Sequence, residues 1–240
     1  MIAATRISAL LITTLLATSI ACADEGAGEL EVRAWGEDFI EVGIPAEGFS
    51  DGWTVEFSRF EVTLGSISIA GQELADPEPI DLSQPSGGRG QLLGSVAVPA
   101  GEYDDATFEL GGLQVEGVAS KDGTSKSFAW SFPLIVYYSE CETSTTVRAG
   151  EVGEFQITVH ADHLFHDSLV ADEPALRFDA LAAADSDSDG VITMQELSAA
   201  DLGSYDPGNV DVDNLAGFLE LLATTTMHAN GEAHCVGATN

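Results

Sequence analysis

From Glu29 onward apolar and polar residues alternate, and this period of two restricts the fold more than any other feature of the chain. Leu30, Val32 and Ala34 alternate with polar or charged neighbours; so do Val55 and Phe57, then Phe60, Val62 and Leu64. A strand points successive side chains to opposite faces, so alternation predicts half-buried strands. Further strands are predicted near 91–98, 104–110, 113–118, 126–138 and 155–160. Asp122-Gly123 is a hairpin signal, because both central positions of a tight primed turn need positive φ. Ala75 to Gly90, with three prolines and three glycines, reads as a loop. Many short strands with regular turns predict a mainly β chain, an antiparallel β-sandwich over residues 29–160.

The pattern changes after residue 160. Stretches 174–184, 193–202 and 213–227 read as helix. The last carries Leu215, Phe218, Leu219 and Leu222 on one face, with Asp211 or Asp213 as N-cap. Residues 161–240 are therefore expected to form a small helical module. Cys141 and Cys235 are expected to pair and tie that module back, stabilising the fold by about 4–5 kcal/mol in the chain-entropy model.

Residues 1–21 carry Arg6 and then an apolar run too short to span a bilayer, which reads as a secretion signal. Cleavage before Cys22 would leave a cysteine for lipidation, and residues 22–28 would be a tether. Cleavage after Ala23 would discard that cysteine. Either way the expectation is an exported protein, anchored in the cell envelope by lipid or secreted. Forty acidic residues against 8 basic ones give a formal charge of −32. So few cations cannot build a nucleic-acid surface.

Asp185 to Glu196 has the spacing of a calcium loop. Asp185, Asp187 and Asp189 stand at positions one, three and five, and Gly190 permits the turn at six. Val191 offers its carbonyl at seven, Thr193 stands at nine, and Glu196 can chelate with both oxygens at twelve. Ile192 is the apolar residue that pairs with a neighbouring loop. The segment resembles a single EF-hand, which implies bound Ca²⁺ as a brace; hard oxygen ligands suit that ion.

All five histidines lie in the last third. His160, His163 and His166 form one group, and His228 and His234 another. A hairpin of 134–141 with 153–160 would set Cys141 near His160. The disulfide would then bring His234 to roughly 10–15 Å from His160, at about 3.4 Å per residue. Converging imidazoles would make a second metal site, for zinc or copper, with Asp162, Asp167 and Glu232 as further ligands or supports.

Gly52 to Val62 together with Val98 to Tyr103 resembles the β domain of bacterial exported lipoproteins. It is also distantly similar to methanobactin-associated periplasmic copper-binding proteins, over roughly 30–160. That resemblance implies an exported β-sandwich and a copper site of histidines with a modified tryptophan, matched here by Trp53; the histidines carry no residue-by-residue correspondence. No nucleophile–base arrangement or phosphate-cradling loop stands out, so the expectation is a non-enzymatic calcium-binding protein with a protein or glycan partner. The alternative expectation is a copper- or zinc-binding protein in which calcium is the brace.

Overall fold

A computed structural model describes residues 26–74 and 78–239. The expected leader with Cys22, and residues 75–77 at the start of the 75–90 loop, lie outside the described residues. In chain order the first strands are β1 (Ala27–Trp35), β2 (Thr54–Ile69), β3 (Gln72–Leu74), β4 (Ile80–Asp81), β5 (Gln91–Pro99), β6 (Gly101–Tyr103) and β7 (Thr107–Lys121). They continue with β8 (Thr124–Phe132), β9 (Val136–Ser139), β10 (Thr145–Val147), β11 (Val152–Val159), β12 (Val191–Ile192), β13 (Met227–Ala229) and β14 (Val236–Thr239). The helices are α1 (Glu37–Glu41), α2 (Asp179–Ala183), α3 (Met194–Ala199) and α4 (Leu215–Ala223), with a 3₁₀ turn at Ala161–Phe165.

The mainly β class is as expected. One sheet has the order β13-β11-β1-β5. A larger one runs β12-β8-β7-β2-β3, with β9 on β7, β14 on β9 and β4 on β2; β10 and β6 form a separate ribbon. Most pairs are antiparallel, but β1 runs parallel to β11 and β12 parallel to β8. Leu30, Val32 and Ala34 of β1 are fully buried, and so are Phe60 and Val62 of β2. Phe108 of β7 meets Phe155 of β11 at 6.4 Å between centroids, joining the two sheets through one core.

The Asp122-Gly123 hairpin is present, with φ of +49° and +80°. Other boundaries differ. Residues 107–110 and 113–118 belong to one strand, β7, with 104–106 outside it, because the Gly111–Gly112 pair absorbs a register shift opposite Thr63 and Leu64 instead of turning. Residues 126–138 split into β8 and β9 around Pro133, which has no N–H to give a ladder. The tether reading ends early, since Ala27 and Gly28 already pair with Pro99 and Val98.

The hairpin of 134–141 with 153–160 does not form. β9 pairs with β7 and β14, whereas β11 pairs with β1 and β13 in the other sheet. After residue 160 the chain is only partly helical, and it returns β12, β13 and β14 to the sheets. Helix 213–227 shortens to α4, whose N-cap is Asn214, accepting from Gly217 N, not Asp211 or Asp213. Thr224, Thr225 and Thr226 turn their hydroxyls back onto the carbonyls of Leu221, Leu222 and Ala223. Three such residues in a row end the helix and release Met227 into a strand. Cys141 and Cys235 are disulfide-bonded across 94 residues.

Candidate metal centres

The histidine cluster is assembled by the end of one strand. β13 lies antiparallel on β11, so His228 stands opposite Thr158. His160, two residues farther on, shares that face and donates its backbone N–H to Thr226 O at 2.8 Å. Its ring centroid is 4.3 Å from that of His228. The chain then enters the 3₁₀ turn, in which residues three apart eclipse. That places His163 and His166 at 4.7 Å. Phe165 holds the turn down, packing on Phe49 and Phe57 at 5.3 and 6.4 Å.

A second turn brings His234. Asn230 and Gly231 adopt φ of +47° and +88°, and the chain doubles back to bridge Ala229 with Ala233. His234 reaches 4.7 Å from His228, and Glu142 N bonds its carbonyl beside the Cys141–Cys235 bridge. All five histidines expected to converge do so. His228 is brought in by the β11–β13 ladder, and the disulfide fixes only the His234 end.

The surroundings of His163, His166 and His228 favour the neutral ring. Burial, then the neighbouring imidazoles, push His228 down to about 3. Burial, then His163, push His166 down to about 4, and burial lowers His163 as well. The His163 Nδ1–H donates to Thr225 O at 2.7 Å, which leaves Nε2 as the free lone pair. His228 Nδ1 is buried with no partner among the described residues, and so is Asp162 Oδ1. A cavity of about 340 Å³, lined by His163, His228, His234, Tyr138, Met227 and Thr225 among others, opens beside the rings. Asp167 does not join them; it pairs with Arg177 at 2.7 Å.

Glu37 was not foreseen as part of this cluster. It opens α1 at φ +55°, an uncommon conformation for a residue with a side chain, and sets its carboxylate 3.5 Å from His160 Nδ1. Burial raises its pKa, with Glu232 and Asp162 adding to the rise against His160. Nothing in the local sequence around Gly36-Glu37 signals a ligand, since its role comes from the packing of α1 on the 3₁₀ turn.

The acidic loop folds between α2 and α3. Gly190 takes φ +88°. Asp185 Oδ2 accepts from Gly190 N, and Asp189 Oδ1 from Val191 N. Glu196 accepts from Thr193 N and Ser186 N, while Thr193 caps α3 in a capping box. Carboxylate oxygens of Asp185, Asp187 and Glu196 lie within 4.8 Å of one another. Asp185 is buried; Oδ1 has no partner, and Oδ2 pairs with Lys126, whose ammonium holds that carboxyl below its usual range. Ile192 pairs with Phe128 of β8, not with a neighbouring loop, and its carbonyl accepts Trp130 Nε1–H at 3.0 Å. Trp53 packs on Phe178 and bonds Asp179 at 2.7 Å, beside α2 and not among the imidazoles.

No protein-family model, curated protein or solved structure matches the chain.

Proposed function

We propose that the chain is an exported, non-enzymatic metal-binding protein whose working centre is the histidine cluster, with zinc or copper as its ion. One observation carries this reading: five imidazoles from two separate stretches converge at ring separations of 4.3–5.3 Å. Neutral imidazole is a borderline ligand that favours zinc and copper over magnesium or calcium. Rings kept unprotonated by burial spend nothing on losing a proton before they bind. Met227 lines the same cavity and adds a soft thioether, which suits monovalent copper. The disulfide agrees with an oxidising compartment. The test is binding of Zn²⁺ and Cu²⁺ by the full chain in millimolar calcium. The proposal expects submicromolar affinity that is lost in His160→Ala/His228→Ala; no binding by the native chain would contradict it. N-terminal mass spectrometry of the secreted or envelope fraction tests export.

A second reading, compatible with the first, is Ca²⁺ in the Asp185–Glu196 loop. The buried, unpartnered Asp185 Oδ1 favours it, because such a group costs stability unless something pairs with it. Asp185, Asp187, Asp189 and Glu196 would hold the ion with Val191 and Thr193 as further ligands, and Lys126 would give up its place at Asp185. Calcium would brace α3, which packs on α4.

A further inference from the structure

The five rings form a bent row, closed at its middle where the His163 and His228 rings also face each other at 5.2 Å. Successive centroids are 4.7 Å apart from His166 to His163, 5.3 Å to His160, 4.3 Å to His228 and 4.7 Å to His234. Ligand atoms on one ion lie no more than about 4 Å apart, twice a metal–nitrogen bond. Among the described residues, no set of three or more donor atoms within 4.8 Å of one another takes in both His163 and His228, so a single ion uses only part of this row.

The structure divides the row in two. Donor atoms of His160, Asp162 and His163 lie within 4.8 Å of one another, and so do donor atoms of His160, His228 and Glu232. His160 is common to both groups. Each group has its own buried polar atom without a partner, Asp162 Oδ1 in the first and His228 Nδ1 in the second. Each also has a further imidazole beside it, His166 next to His163 and His234 next to His228.

We infer that the row binds two transition-metal ions at once, one on the His163 side of His160 and one on the His228 side. This rests on the histidine cluster being a metal centre. Each side then has two donors of its own, an imidazole and a carboxylate, before His160 is counted. Glu37 faces His160 at 3.5 Å, between the two groups. With Asp162 and Glu232 it brings three carboxyl groups to the imidazoles, donors enough for more than one dication. The fixed hydrogen bond from His163 Nδ1 to Thr225 O orients the first side. The β11–β13 ladder and the Asn230-Gly231 turn orient the second.

The experiment counts ions. Metal-free full chain, with its disulfide intact and millimolar calcium present to saturate the acidic loop, is dialysed against buffered free Zn²⁺. Bound zinc is then measured by mass spectrometry. Two equivalents are expected. His163→Asn and His228→Asn should each retain one, and the double variant none, with thermal melts reporting folding. One equivalent in the native chain would overturn the two-ion inference and leave the single imidazole centre standing. No zinc would overturn both. Two equivalents surviving in both single variants would also overturn it, since the second ion would then sit on surface carboxylates. The native count needs no variant, so a variant that fails to fold cannot shield the inference.

Discussion

The two candidate centres are built in opposite ways. The acidic loop draws its oxygens from twelve consecutive residues, whereas the histidine row gathers its rings from the end of β11, a 3₁₀ turn, β13 and a reversal before Cys235. The loop depends on local chemistry: a glycine at φ +88°, a capping box and turns of the backbone onto its own carboxylates. The row depends on a strand pairing, an aromatic anchor at Phe165 and a disulfide that closes 94 residues of chain. Damage to the fold should therefore strip the row first, and damage to single carboxylates should strip only the loop.

The largest effect is expected from Cys141→Ser with Cys235→Ser. Opening a bridge across 94 residues should cost about 4–5 kcal/mol, read as a lower midpoint in denaturant. Zinc affinity should fall with it as His234 loses its anchor, while calcium affinity below the melting point should hardly change.

Acid comes next. His228 and His166 titrate at about 3 and about 4 in the metal-free fold, below the ordinary value of about 6.5 in an unfolded chain. As pH falls, the unfolded state takes up protons first, so stability should drop from about pH 6.5 toward about pH 3. Asn replacing both histidines should flatten that part of a melting-temperature profile.

These effects follow from a site that was only half legible in the sequence. Alternation along β1 and β2 and the Asp122-Gly123 turn were readable because they obey local rules. The glycine turn at Gly190 was readable for the same reason. The convergence of the histidines was expected through the wrong pairing, since the partner of β11 is β13, some 70 residues away, and the expected partner 134–141 belongs to the other sheet. Glu37 carried no signal at all. Helix ends were also misjudged where threonine hydroxyls, invisible to apolar periodicity, stopped α4 at Ala223.

A smaller effect sharpens the loop side of the comparison. Asp185→Ala with Glu196→Ala should abolish the rise in melting temperature that calcium gives the native chain. With an affinity near 10⁻⁴ M, millimolar calcium should contribute about 1.4 kcal/mol. Zinc binding should persist. Smallest is Asn214→Ala, which removes the cap of α4 and should cost about 1 kcal/mol in a denaturant titration without changing either ion.

The most direct test of the central claim is X-ray absorption at the zinc edge on the chain loaded with zinc in excess calcium. The account predicts a nitrogen-dominated shell near 2.0–2.1 Å with the outer-shell scattering of at least two imidazoles per zinc on average. An all-oxygen shell, with no imidazole scattering, would contradict it.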